Sequence, residues 1–297
     1  MSNSDALSAL SNQMADAVER VAKSTVSVFG RDRQSATGIV YASELVLTTD
    51  HVLERDDNLS IATADGAKLP AQLVGRDPST DLAVLRVAGL STEIAAPSGA
   101  ARVGQLILAV GRPEEGLMAS HGVVSAVGGP LRMGNGVNVE RYIRTDATPY
   151  PGFSGGPIID ATGAVLGILT TGLARNVALG IPYDLALRVA QTLTAQGYVK
   201  RGYLGVISQR VKLPTAQRAG LSQEHGLLVM RVEDNSPAEK GGVLMGDILT
   251  SVDGHAVSDA DDLMALLTGE RVGRAVSLGM VRGGQLQTVS VVVGQRQ

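Results

Sequence analysis

The sequence predicts a soluble, turn-rich, mostly β protein of two domains, and three observations carry that expectation. The chain has 297 residues, enough for two domains of the usual ~100–200 residues. Glycine is abundant: 36 residues, about 12% of the chain against roughly 7% on average, which favours many tight turns. Apolar, β-branched runs of about four to seven residues follow one another, each broken by Gly, Asp, Asn or Pro.

The rest of the composition removes whole classes of function. The 26 Lys and Arg nearly balance the 29 Asp and Glu, for a formal net charge of −3. No stretch is densely basic, and the aromatics are six Tyr and two Phe with no Trp. Nucleic-acid binders rely on basic stripes and stacking aromatics, so no nucleic-acid partner is expected. Cys is absent, which removes disulfides, thiolate metal sites and a cysteine nucleophile together. The four His (His51, His121, His225, His255) are too dispersed for a His-x-x-x-His helix motif, and neither metal nor cofactor is expected. No apolar run approaches the ~18 residues of a transmembrane segment.

In chain order, residues 1–23 read as one amphipathic helix. Leu7, Leu10, Met14 and Val18, followed by Val21, recur at helical spacing and need a surface to pack on. Asp5, Asp16 and Glu19 interrupt the stretch and no basic residue precedes Arg20, so it lacks the pattern of a secretory signal. Taken alone, that points to the cytoplasm. Residues 24–183 hold short β-rich runs at 25–29, 38–41, 45–48, 59–63, 82–87, 106–110, 122–127, 142–145, 157–159, 165–171 and 177–181. With no helix between them, these predict barrels or sandwiches. The Ala-, Ser-, Gly- and Pro-rich stretch 88–102 is read as joining two halves that show no sequence repeat. Within the connector 184–199, Leu185, Val189 and Leu193 stand four apart with Gly197 as a stop, which predicts a helix. Residues 200–297 form the second domain. Its clear helix starts at Ser258 or Asp259 as N-cap, carries Leu263, Leu266 and Leu267 inward, and stops at Gly269. The runs 275–281 and 287–293, around Arg282-Gly283-Gly284, read as a hairpin.

Chemistry concentrates in Pro151-Gly152-Phe153-Ser154-Gly155-Gly156-Pro157. A Ser flanked by Gly sits on a sharp turn where backbone N–H groups can converge on a developing oxyanion. By itself the stretch is equally an ordinary Gly-rich turn. A Ser hydroxyl also needs a base held by a third group. His51 ends a strand in Thr48-Thr49-Asp50-His51-Val52, where a side chain can face a cleft, whereas His121 reads as a surface loop residue. Asp81 opens the strand after Asp77-Pro78-Ser79-Thr80 and can enter a core, where an imidazole N–H would satisfy it. Asp77 reads as a turn residue, and the rival acids Asp56 and Asp57 fall in a charged loop. Gly152–Gly156 also matches G-x-S-x-G, but the nucleophile elbow of that motif needs a helix after the Ser, and here a strand and turn follow.

The order His51, Asp81, Ser154 is that of chymotrypsin-like enzymes. From about residue 24 to the C-terminus the chain resembles the HtrA (DegP/DegQ-like) family of serine proteases. The resemblance rests on T-T-D-H-V around His51, T-D-L-A-V-L from Thr80 and G-F-S-G-G-P through Pro157. It extends through G-A-V-L-G-I from Gly163 and R-G-Y-L-G-V from Arg201. It implies a mostly β fold, a chymotrypsin/trypsin-like double β-barrel followed by a small α+β PDZ domain. It also implies an ATP-independent endoprotease acting on unfolded or damaged polypeptides, a homotrimeric assembly, and an extracytoplasmic, periplasmic location as the alternative to the cytoplasm. In this resemblance His51, Asp81 and Ser154 form the triad, the amides of Gly152 and Ser154 form the oxyanion hole, and Ile168 and Leu169 fall near the specificity pocket. Phe153 stands where the family usually has Asn, and Tyr150 and Leu169 also depart from the pattern.

A PDZ domain adds a peptide strand beside a helix and takes its terminal carboxylate on backbone N–H groups. The matching residues are Tyr203, Leu204, Gly205 and Val206, with Leu263 and Leu267 as the helical wall. The competing expectation is a catalytically weak, protease-like chaperone, kept open by the bulk of Phe153 beside the nucleophile.

Overall fold

The strand-rich region closes into two six-stranded antiparallel barrels. In the computed structural model, residues 3–32, 34–114, 116–132, 138–174, 177–198, 202–213, 218, 220–267 and 271–295 are described. An N-terminal helix α1 (Asn3–Ala22) leads into the first barrel. That barrel consists of β1 (Thr25–Phe29), β2 (Ala36–Ala42), β3 (Leu45–Thr48), β4 (Leu59–Ala62), β5 (Lys68–Asp77) and β6 (Leu82–Arg86). Its order is β1-β2-β3-β6-β5-β4, closed by pairing of β1 with β4. The second barrel is built from β7 (Leu106–Gly111) and β8 (Met118–Gly128), then, after a small ribbon β9 (Leu131–Arg132) and β10 (Asn138–Val139), from β11 (Tyr142–Thr145), β12 (Pro157–Ile159), β13 (Val165–Thr170) and β14 (Leu179–Pro182). Its order is β11-β14-β13-β12-β7-β8, closed by β8 on β11. Alternating apolar residues fill each interior, Val26, Val28, Ile61 and Leu85 in the first, Ile107, Ile143, Ile158 and Leu169 in the second.

A third cluster seals the two barrels together. Ile39, Leu47, Leu82 and Val84 of the first meet Leu108, Val110, Ile168 and Ile181 of the second. Helix α2 (Tyr183–Gln196) packs Leu185, Ala186, Ala190 and Leu193 into the same cluster. Gly197, with φ 78°, donates its N–H to the Leu193 carbonyl and ends the helix, a left-handed cap that glycine adopts without strain. The helix read as a connector is therefore a packed element of the first compact unit, which runs from Met1 to Val199. Only part of the α1 stripe finds cover: Ala17 and Val21 are buried with Met14 and Val18 against them, while Leu7 and Leu10 stay 70% and 42% exposed.

Two local expectations need correcting. The long strand β5 was not anticipated, because Pro70, Gly75 and its charged residues mask the alternation of a half-exposed strand. His121 is not on a loop: it lies within β8, opposite Leu108 on β7, with its side chain exposed.

The second unit, Lys200–Gln297, is described by itself. It contains β15 (Gly202–Tyr203), β16 (Val206–Lys212), β17 (His225–Val232), α3 (Pro237–Lys240), β18 (Ile248–Val252), β19 (His255–Ala256), α4 (Ala260–Leu266), β20 (Ala275–Arg282), β21 (Gln285–Val292) and β22 (Gly294–Gln295). The main sheet runs β16-β17-β18-β20-β21, which leaves β16 at its edge. Ser236 caps α3 by accepting the Glu239 N–H at 3.2 Å. Asp259 caps α4 by accepting the Asp262 N–H at 2.9 Å, while the Asp262 carboxylate accepts the Ser258 N–H at 2.8 Å. The expected stop at Gly269 lies outside the described residues. The final hairpin forms as expected, with Gly283 and Gly284 at φ 58° and 82° between β20 and β21.

Candidate active site

Strand β3 ends at Thr48, and a single 3-10 turn, Asp50–Val52, lifts His51 from the first barrel toward the second. Asp81 lies beneath that turn. Asp77 shapes the approach, its carboxylate accepting from Ser79 N at 3.3 Å, Ser79 Oγ at 2.9 Å and Thr80 Oγ1 at 2.7 Å. Asp77 is thus a buried turn residue, as its sequence context predicts. Asp81 then takes φ 56°, a left-handed conformation that Asp tolerates better than most residues. Its Oδ1 accepts the His51 backbone N–H at 2.9 Å, and its Oδ2 lies 2.8 Å from His51 Nδ1. Thr170 Oγ1 donates to the same Oδ2. A buried carboxylate held by three donors fixes the imidazole plane and leaves Nε2 as the ring nitrogen free to accept a proton. Asp56 is exposed and pairs with Arg76 instead, and Asp57 is exposed. Beside His51, burial pushes the Asp50 carboxyl above the usual range, with Arg76 opposing and Asp81 and Asp77 adding to the rise.

Ser154 stands on the β11–β12 loop, in hydrogen-bond reach of Thr171, whose neighbour Gly172 lies against His51. Gly155, at φ 85°, presses against the Thr37 carbonyl and Thr48 Oγ1, so any side chain there would collide. Thr37 N–H donates to the Ser154 carbonyl at 3.1 Å, and Thr37 Oγ1 donates to the Gly152 carbonyl at 2.6 Å. The Phe153 N–H turns back to the Tyr150 carbonyl at 3.0 Å. Among the described residues the Gly152 and Ser154 N–H groups donate to no protein acceptor, which leaves two adjacent donors for an anion. The Phe153 ring is fully buried in the second barrel against Gly111 and stacks edge-on with Tyr150 at 5.5 Å.

The segment following β13 holds all three candidate groups, and sequence reasoning missed it. Thr170 bonds Asp81, Thr171 Oγ1 lies 3.1 Å from Ser154 Oγ, and a Cβ on Gly172 would stand 2.5 Å from His51 Nδ1. The signal was two hydroxyls and a Gly replacing the apolar run at the end of a buried strand. Ile168 and Leu169, one step earlier, have no exposed surface and pack into core clusters.

In the second unit Gly205, at φ 80°, packs against the Ser236 side chain too closely to admit a Cβ. The loop carbonyls are occupied, Leu204 accepting from Ala238 N–H and Gly205 from Glu233 N–H, each at 2.8 Å. Tyr203 Oη donates to Glu233. Leu204, Leu263 and Leu267 are buried in the domain core, and Val206 packs against it at the start of edge strand β16. The described residues contain no group of His, Asp or Glu arranged to hold a metal ion.

Two barrels with a His, an Asp and a Ser meeting between them, and a sheet with a free edge beside a short helix, define a trypsin-like peptidase domain followed by a PDZ domain. Sequence comparison agrees, matching residues 36–168 to the trypsin-like peptidase domain and 202–293 to the PDZ domain. The chain belongs to the HtrA family of serine proteases. It is 30% identical to the solved HtrA-type protease AlgW with decapeptide, at a TM-score of 0.78, covering 96% of this chain and 99% of that one. The AlgW structure with tripeptide gives 33% identity and a TM-score of 0.77, covering 96% and 97%. Among curated relatives, a "Probable periplasmic serine endoprotease DegP-like" of Ectopseudomonas mendocina (strain ymp) is 34% identical over 279 residues, 89% of this chain and 58% of that one. Its namesake in Pseudomonas putida (strain GB-1) is 36% identical over 274 residues, 89% and 57%. The chain thus spans somewhat more than half the length of these curated relatives.

Proposed function

We propose that the chain is a serine endopeptidase in which His51 is the general base, Asp81 its orienting carboxylate and Ser154 the nucleophile. The observation that carries this is the Asp81 carboxylate on both the ring and the backbone of His51, with Ser154 joined to the pair through Thr171 and the adjoining Gly172. Ser154 Oγ attacks the scissile carbonyl while its proton passes to His51 Nε2. Asp81 stabilises the imidazolium that results, and the Gly152 and Ser154 N–H groups bind the oxyanion. His51 then returns the proton to the leaving amine, and water deacylates the enzyme by the same route. No step calls on nucleotide energy, so cleavage is ATP-independent. The weakly catalytic alternative is not favoured, since the Phe153 ring that suggested it is buried in the core of the second barrel.

The substrate class is unfolded or damaged polypeptide, taken as part of protein quality control. The PDZ domain captures free C-termini, with the Leu204 and Gly205 amides toward the carboxylate and the peptide strand added to β16. AlgW, solved with a decapeptide and with a tripeptide, supports peptide capture in this family. Relatives whose names place them in the periplasm favour an extracytoplasmic site of action, and the cytoplasmic expectation finds no support in them. Among the described residues no helix is long and apolar enough to cross a membrane. Casein digestion tests the proposal. The wild-type chain cleaves without ATP and Ser154→Ala does not; equal cleavage by both would overturn it.

A further inference from the structure

Thr171 is the one side chain that bonds the nucleophile oxygen among the described residues, and no bond there joins Ser154 to His51. The two hydroxyl oxygens are 3.1 Å apart, and Thr171 Oγ1 has no other partner among the described residues. Thr171 is exposed, so this bond is not a by-product of core packing. Its place is fixed from both sides. Thr170 is tied to Asp81 and its Oγ1 accepts the Gly172 N–H at 3.0 Å, while Gly172 lies flat against the His51 ring.

The direction of that hydrogen bond decides its effect. If Thr171 donates, it takes one of two lone pairs on the Ser154 oxygen and leaves the Ser154 proton free for the base. If Ser154 donates, its proton points at Thr171 and not at the base, and the hydroxyl has to leave Thr171 before His51 can take that proton.

We propose that Thr171 Oγ1 accepts the Ser154 hydroxyl proton and so is a positioning residue that holds Ser154 in a resting orientation, each turnover beginning by breaking this contact. The inference rests on the triad reading of the same site. A neutral hydrogen bond of the ordinary strength corresponds to roughly a fivefold bias between the two orientations. Removing it should therefore raise nucleophile reactivity by about that factor.

The test compares the wild type with Thr171→Val, Thr171→Ser and Ser154→Ala, using a fluorophosphonate probe and a short chromogenic peptide. In labelling, Ser154 Oγ bonds phosphorus, fluoride leaves, and the Ser154 proton goes to His51. Thr171→Val keeps the shape and loses the hydroxyl; it should label about fivefold faster and raise kcat for the peptide with KM little changed. Thr171→Ser restores the hydroxyl and should return both values to those of the wild type, which a purely steric role would not do. If the wild type labels and Thr171→Val labels no faster, or if Thr171→Ser behaves like Thr171→Val, the assignment of Thr171 is wrong and the triad stands. If the wild type labels no more than Ser154→Ala, the triad reading falls and this inference with it.

Discussion

At Gly172 the backbone lies so close to the candidate base that hydrogen is the largest side chain the site admits. A methyl group there would stand 2.5 Å from His51 Nδ1 and 2.7 Å from Asp81 Oδ2, so the imidazole must shift off its carboxylate. Displacements of about 1 Å in a catalytic group cost on the order of 10²-fold. Gly172→Ala should lower kcat/KM by roughly that factor. Because the residue is exposed, its thermal unfolding midpoint should stay near that of the wild type. Unchanged kinetics would mean that the His51–Asp81 pairing is not required. In the proposed mechanism His51, Asp81 and Ser154 act as a unit, so Ser154→Ala alone should cost about 10⁴-fold or more in peptide cleavage. Adding His51→Ala should then cost little further.

Among the elements, the end of β20 carries an unusually committed ion pair. Arg282 grips the buried Asp247 with both Nε and Nη2, each at 2.7 Å, and also donates to the Gly242 carbonyl. Burial alone would raise the Asp247 carboxyl, but the Arg282 hydrogen bonds and the Leu244 N–H outweigh it and hold the group below the usual carboxylate range. A carboxyl with a depressed folded-state pKa adds stability above the ordinary value near ~3.9 and loses it as pH falls through the folded value. The PDZ unit should therefore weaken below about pH 4. Arg282→Gln should remove roughly 3 kcal/mol at neutral pH, since it leaves a buried charge poorly paired. Urea unfolding followed at several pH values checks both, and a pH-independent midpoint in the wild type would refute the role of Asp247. This hairpin was legible in the sequence because Gly283-Gly284 between two alternating runs has few other uses. So were β1, β3, β11 and β12, where short β-branched runs are bounded by Gly, Asp or Pro. Strand β5 was not, because an exposed barrel strand carrying Pro70 and Gly75 has no apolar period to detect. Ser154, His51 and Asp81 could be picked out by residue type and motif. Thr170, Thr171 and Gly172 could not, because their role comes from which side chains the two barrels bring beside them.

On the scale of the whole molecule, Leu7 and Leu10 on α1 remain uncovered while the same stripe further along is buried. An exposed apolar edge on an ordered helix marks a contact surface. The family resemblance suggests its use in a homotrimer. Light scattering at micromolar concentration should give three chain masses for the wild type and a smaller species for Leu7→Glu combined with Leu10→Glu; a monomeric wild type would exclude that assembly. Peptide capture can be tested on the two-domain chain carrying Ser154→Ala, which on the proposed mechanism does not consume its ligand. Matched peptides ending in a free acid should bind in the micromolar range expected of a short buried segment, and their C-terminal amides more weakly. Equal affinities would mean that the loop at Leu204 and Gly205 does not read a carboxylate. The central claim, that His51, Asp81 and Ser154 work as one catalytic unit, is tested most directly by mapping where a fluorophosphonate reacts. Mass spectrometry of the labelled, digested protein should find the adduct on Ser154 in the wild type and none in His51→Ala. Labelling at another serine, or labelling of Ser154 that persists at full rate without His51, would contradict it.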